Sequence, residues 1–261
     1  MLFIKYKRGD DILDDKKEIK KPLEQENDDE LLECEKWWVF SLLMFVSGFY
    51  GAYTYTIRGG IFCNAQTANF VLLAMAIGSM DFKKALYFII PMSAYLLGAI
   101  ISESFALKIK KMNFIRWDTF LIIVEIATVI FLGFLPESAP YRIAQVTINF
   151  ICSMQYNTFR QAEKIPMATT FCTNHLRQIG ISLVKVARKP GNAQLPVKIR
   201  SHVRMLCMFV LGGIVSTILS YRFLGKAIWA TIIPLGILLV DLLYADLKKE
   251  KGKLYKKPNG H

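Results

Sequence analysis

Four hydrogen-bonding side chains, Asn64, Gln66, Thr67 and Asn69, crowd into six residues at the head of an apolar run that continues to Ser79. The tail of that run suits lipid. Its head does not, because a buried amide without a partner costs several kcal/mol in hydrocarbon. A weaker copy lies about a hundred residues on, from Pro166 to Gly180, where Phe171-Cys172 repeats Phe62-Cys63. The alignment sets Thr173 opposite Thr67 and places His175 beside the position of Asn69. Paired, polar-interrupted apolar segments in two halves of a chain point to a transport site.

Composition agrees with a bilayer setting. The 261 residues are 53% hydrophobic with a mean hydropathy of +0.32, and the apolar blocks run 18–22 residues. That is the length a helix needs to cross about 30 Å of hydrocarbon. The formal charge of +12 sits in short segments between these blocks and in the tail. The orientation of membrane helices explains such charge better than a nucleic-acid surface does, and no nucleic-acid partner is expected. The first 35 residues are heavily charged without an apolar core, so no cleavable signal peptide is expected. The five cysteines (Cys34, Cys63, Cys152, Cys172, Cys207) have neither metal-ligand spacing nor a disulfide pattern. They read as small buried hydrophobes, and neither a metal nor another cofactor is expected.

The expected fold is all-α: a polytopic membrane bundle of six spans plus two re-entrant or short helices, arranged as an inverted internal repeat of three spans each. Residues 1–35 form a charged cytoplasmic arm, 36–245 the membrane domain and 246–261 a basic cytoplasmic tail. Repeat one covers 37–135 and repeat two 141–245. The spans are expected near 37–55, 86–105, 117–135, 141–158, 205–221 and 227–244, with short turns at 136–140 and 222–226. Three markers recur in order: Phe-Cys, then Leu97-Gly-Ala-Ile-Ile-Ser102 matched by Leu211-Gly-Gly-Ile-Val-Ser216, then Val124-Glu125 matched by Val240-Asp241. Charge settles the number of crossings. Only if the two polar-headed segments enter and leave by one side do the basic stretches 105–116 and 185–204 and the tail all fall in the cytoplasm.

The run Gly59-Gly60-x-Phe62 followed by Thr67-x-Asn69-x-Val71-Leu72-Leu73, and the later Ala168-Thr169-Thr170-x-x-Thr173-x-x-Leu176, resemble the YoaK-like family of uncharacterised bacterial membrane proteins. That family carries Met-Thr-Gly-Asn in both halves. Gln66-Thr67-Ala68-Asn69 and Cys172-Thr173-Asn174-His175 stand there instead. The resemblance covers roughly residues 38–245. It implies a multi-span plasma-membrane protein and brings no established reaction or substrate.

The expected function is therefore transport, or channel-like passage, of a small polar or anionic solute, coupled or not to protons. Asn64, Thr67 and Asn69 from one half, with Thr173, Asn174, His175 and Gln155 from the other, are expected to bind the solute. Free N–H groups at the heads of the two re-entrant helices favour an acceptor-rich ligand. Glu125 and Asp241, acids inside apolar helices, are expected to carry protons. Arg58 is read as part of the turn made with Gly59 and Gly60. The rival readings are a membrane-embedded enzyme using His175 with Glu125, and a non-catalytic scaffold. The partners expected are the lipid bilayer, the solute and a second copy of the chain in a homo-oligomer.

Overall fold

The computed structural model describes residues 31–112, 114–188, 191–256 and 258, so residues 1–30 of the arm expected over 1–35 and the end of the tail lie outside the described residues. So do the side chains of Lys108, Lys110 and Lys111. The described chain is almost wholly helical: α1 (Trp37–Ile57), α2 (Gln66–Gly78), α3 (Phe82–Met112), α4 (Trp117–Phe134), α5 (Tyr141–Thr158), α6 (Thr173–Arg188), α7 (Gln194–Phe223) and α8 (Ile232–Tyr244). A two-stranded antiparallel ribbon, β1 (Gln161–Ala162) with β2 (Ile165–Pro166), lies between α5 and α6.

α1 is helical because no charge or proline interrupts it from an extended Lys36 to the turn at Arg58. At 1.5 Å per residue, its 21 residues extend about 31 Å. It lies along α7, while α5 lies along α3. Both pairs approach closely at glycine. A Cβ on Gly48 or Gly212 would strike the main-chain carbonyl of Phe209 or Phe45, and one on Gly98 would strike the carbonyl of Phe150. Lipid offers no hydrophobic drive between helices, so backbone contact of this kind and tight packing hold them together. We expect Gly212→Leu to cost about 1–3 kcal/mol or more by overpacking the crossing. Gly180→Ala, whose added methyl meets nothing, should stay near wild type. Thermal unfolding of the two variants in detergent checks the contrast.

Among the described residues, three helical stretches are long and apolar enough to cross a membrane by length and composition: Phe82–Phe105, Trp117–Phe134 and Gln194–Lys249. Their outward faces are apolar, with Val210, Ile214 and Ile218 on α7 and Ile233, Ile237 and Val240 on α8 exposed at helical spacing. These features mark a membrane protein. α1 and α5 fall outside the three; they carry Ser47 and Thr54, and Gln145, Asn149 and Gln155, all buried inside the bundle.

Four local expectations change. Residues 31–35 are not a solvated arm, since Leu32, Glu33, Cys34 and Glu35 are buried against the helices. α7 begins at Gln194 rather than near 205, which puts Lys198, Arg200, His202 and Arg204 on a helix. Pro196 is compatible because it falls in the first turn, where its missing N–H has no partner to lose. The expected 222–226 turn is a longer 3-10 segment, Leu224–Thr231, entered through a positive φ at Leu224. The ribbon at 161–166 was not foreseen.

Candidate functional site

The site is built around α5. Gln145, Asn149, Cys152 and Gln155 fall at i, i+4, i+7 and i+10, a spacing that gathers them on one face. All four are fully buried. The facing element is α1 together with the loop that follows it. Gly59 (φ 86°) and Gly60 (φ 72°) occupy the left-handed region and turn the chain back along α1. That return carries Asn64 to the middle of α1, where its Nδ2 donates to the Ser47 carbonyl at 2.8 Å beside Gly51. It also sets Cys63 Sγ 3.9 Å from Cys152 Sγ.

A continuous seam of polar contacts results. Gln155 Nε2 donates to Ser47 Oγ at 3.1 Å and to the Thr169 carbonyl at 3.4 Å. Gln66, at the head of α2, donates to Asn149 Oδ1 at 2.8 Å and to the Cys63 carbonyl at 3.2 Å. Asn69 donates to the Phe62 carbonyl at 2.7 Å and to Gln66 Oε1 at 3.3 Å. Asn149 Nδ2 donates to the Gln145 carbonyl at 2.8 Å. Gln145 Nε2 donates to the Arg58 carbonyl at 2.6 Å and bonds the Tyr87 hydroxyl.

At that end Arg58 is 1% exposed and does more than turn the chain. Its Nε donates to the Tyr53 hydroxyl at 3.1 Å, its Nη1 lies 3.8 Å from Glu137, and Tyr53 donates to the Gly225 carbonyl at 3.0 Å. Beyond the opposite end, beside Gln155 and Thr169 in sequence, lies a cavity of about 620 Å³ lined by Tyr156, Asn157, Arg160, Met167, Phe171 and Asn174 among others. Arg160 pairs there with Glu103 at 2.9 Å and bonds Asn157 Oδ1 at 2.7 Å.

The structure brings Asn64, Asn69 and Gln155 into the seam and sets Asn174 at the cavity wall. Thr67 and Thr173 are exposed instead. His175 is buried, with Nε2 2.8 Å from the Ala168 carbonyl and Nδ1 3.0 Å from His202 Nδ1. Both its ring nitrogens are therefore engaged away from Glu125. Glu125 is fully buried on α4, and neither carboxylate oxygen has a partner among the described residues. It interacts electrostatically with Tyr50 and Cys152. Asp241 is half-buried on α8, beside Ile237, Val240 and Tyr244 at an outer groove, and within electrostatic reach of Glu33. Gln145, Asn149 and Gln66 were missed as site residues by sequence reasoning. The signal of Gln145 and Asn149 is their polar i, i+4 spacing within a span, and that of Gln66 is its place in the polar head of 64–69.

A second polar concentration lies where residues 31–36, the start of α4 and the tail meet. Arg116 Nη1 is 2.9 Å from Glu250, and its Nε is 3.4 Å from Asp118 and 3.6 Å from Asp246. Its Nη2 meets Cys34 Sγ at 3.1 Å, and its main-chain N–H donates to Asp246 at 2.9 Å. Burial works against this guanidinium, but Asp118 and the other surrounding carboxylates outweigh it and hold its pKa above the ordinary value. Burial pushes the Cys34 thiol and the Glu250 carboxyl up. The cluster is a clasp between distant segments. No group of three or more His, Cys, Asp or Glu able to hold a metal ion occurs among the described residues.

A family model described as "Protein of unknown function (DUF1275)" matches residues 39–240. No curated protein and no solved structure matches the chain.

Proposed function

The chain belongs to this DUF1275 family, and from its own geometry we propose that it carries a small polar solute across the membrane along the seam between α1 and α5. The observation behind this reading is the seam itself. Hydrogen-bonded amides follow one another from Arg58 and Gln145 through Asn149, Gln66, Asn64 and Gln155, and an open cavity with Arg160 lies at the far end. A bundle held together by packing alone has no use for such a line of polar groups. In a bilayer they are stable only against protein or water.

The packing also supports an inverted duplication. α1 lies on α7 as α5 lies on α3, α2 lies on α3 as α6 lies on α7, and α4 meets α8. The glycine contacts match: Gly212 meets Phe45 as Gly98 meets Phe150. Gln155, late in α5, reaches Ser47 in the middle of α1, and Gln145, early in α5, reaches Arg58 at the end of α1. The two matching helices therefore run antiparallel, as inverted repeats require. α2, with 13 residues, extends about 20 Å and starts beside Asn149, halfway along α5, so it suits a re-entrant helix. On this reading α1, α3, α4, α5, α7 and α8 are the six spans. The Arg116 end, with the basic stretches and both termini, then faces the cytoplasm at the plasma membrane.

Two experiments test the proposal. Single cysteines at Lys110 and Lys198 should resist an impermeant thiol reagent on intact cells and react once the cells are opened. Strong labelling of either on intact cells defeats the six-span arrangement. Proteoliposomes of the purified protein, screened against small polar metabolites, should take up at least one that also raises the thermal midpoint. A panel in which none enters and none stabilises would count against transport.

A further inference from the structure

His175 and His202 join α6 to α7, and their contacts fix where the ring protons sit. His175 Nε2 lies 2.8 Å from the Ala168 carbonyl, which can only accept, so this nitrogen carries hydrogen. The neutral ring then offers a bare Nδ1. His202 Nδ1 stands 3.0 Å from it and is therefore the donor of that bond. What remains is His202 Nε2, a lone pair buried without a partner among the described residues. The neutral pair thus holds two protons and has room for a third at His202 Nε2. A fourth would set two N–H groups head to head.

Little else fastens this helix. α6 lies along α7 with His175 and Ser182 as its buried residues, while Leu176, Ile181, Leu183 and Val184 are exposed. No residue of α6 joins either apolar cluster of the core. Its counterpart α2 differs, since Leu72, Leu73 and Ala76 pack with Ala85 and Phe88 of α3. Among the described residues, the His175–His202 contact is the one side-chain hydrogen bond from α6 to α7. A proton arriving at His202 meets no acid there. Lys198 lies one turn earlier on α7 and His175 faces it from α6, while neither the 166–172 loop nor α1 contributes a charged residue. A buried positive charge with a like-charged neighbour and no counter-ion is destabilised, whereas a histidine open to water takes the proton freely.

The pair also reaches the cavity. Ala168, whose carbonyl His175 holds, belongs to the cavity wall, as does Asn174 on the first turn of α6. We infer that the His175–His202 pair is an acid-operated latch: a proton taken up at His202 Nε2 releases α6 from α7 and frees the Ala168–Asn174 side of the cavity. The released state binds more protons than the latched one, so release grows as pH falls through about 6.5, the ordinary histidine value. On the six-span reading, Lys198, Arg200 and Arg204 set this end of α7 at the cytoplasm, so cytoplasmic acid is the trigger. The latch stands on the histidine geometry, and only its effect on uptake rests on the transport reading.

The test uses the full chain in proteoliposomes. A cysteine is introduced at Ser182, on the face covered by α7, or at exposed Gly180 as the reference for the reagent's own pH dependence. A pyridyl disulfide, which reacts at acid pH, labels each, and mass spectrometry of the labelled peptide gives the ratio of the Ser182→Cys rate to the Gly180→Cys rate. We expect this ratio to rise at least about tenfold between about pH 7.5 and pH 5.5, the factor for one ordinary histidine titrated across that range. His202→Asn keeps an amide N–H near the place of Nδ1–H and has nothing at Nε2, so it should lose most of that rise. His202→Ala removes the bond itself, so its ratio should be high at both pH values. A ratio that does not change with pH when His202 is present, an undiminished rise in His202→Asn, or a low neutral-pH ratio in His202→Ala overturns the inference. If the alanine variant does not fold, the asparagine variant decides. A latch that opens with acid in proteoliposomes that carry no solute at either pH leaves the inference standing and sinks the transport reading instead.

Discussion

Replacing Arg116 by methionine is expected to cost the folded protein about 3–5 kcal/mol, the range for removing one partner of a buried charge network. The guanidinium is 4% exposed and meets Asp118, Asp246 and Glu250 within 3.6 Å. Without it three carboxylates remain in a buried pocket with no guanidinium to offset them. Methionine preserves much of the volume, so the loss reports charge and hydrogen bonds rather than a cavity. Arg116→Lys should recover only part of it, because an ammonium cannot serve several acceptors in the fixed fork of a guanidinium. Thermal or denaturant unfolding in detergent measures both variants, and a methionine variant within 1 kcal/mol of wild type, about the worth of a surface ion pair, would show that the clasp contributes little. Acid should weaken the contacts of Glu33 in the same region. Burial opposes ionisation of Glu33, but hydrogen bonds from Lys249 and Lys36 outweigh it and hold its carboxyl below the ordinary 4.5. Its folded pKa is lowered, so its contribution is present above 4.5 and is lost as pH falls through the lower folded value.

Asn149→Ala is expected to reduce uptake by at least about tenfold, equivalent to roughly 1.4 kcal/mol in the transition state for passage. Asn149 is the step that joins the head of α2 to the Arg58 end, through Gln66 on one side and the Gln145 carbonyl on the other. Its removal interrupts the seam at mid-depth. Gln66 keeps the Cys63 carbonyl, so the stability cost should stay near 1 kcal/mol, the net value of one hydrogen bond. Thr147→Ala is the control. It lies on the same helix, but its hydroxyl bonds only the Ile143 carbonyl within that helix. Uptake into proteoliposomes, with size-exclusion profiles to verify folding, separates the two. Equal activity in both variants would mean that the solute does not pass along this seam.

Much of the candidate site could be read before folding. Asn64, Asn69 and Gln155 stand out because amides inside apolar segments need partners, and the seam supplies hydrogen-bond partners. Thr67 and Thr173 stand out by the same logic yet are exposed, because the face a residue occupies depends on where a short helix starts and how it leans. Gln145 and Asn149 carry a signal in their i, i+4 spacing, a polar stripe inside a segment whose length alone marks it as a span.

Arg58 and Arg116 carried no such signal. Arg58 draws its side-chain partners, Tyr53 and Glu137, from α1 and the turn before α5. Arg116 meets Cys34 and Glu250, which lie 82 and 134 residues away in sequence. Local pattern describes what a residue needs, and only the closed bundle determines which distant groups arrive to meet it. The sequence by itself determined the membrane class and most of the helical segments, since these follow from hydrophobic length. The tertiary structure decided that α1 and α5 meet along a buried seam of amides, and that neither oxygen of Glu125 has a hydrogen-bond partner among the described residues. Each of these is a relation between elements remote in the chain, set by packing geometry rather than by any neighbour in sequence.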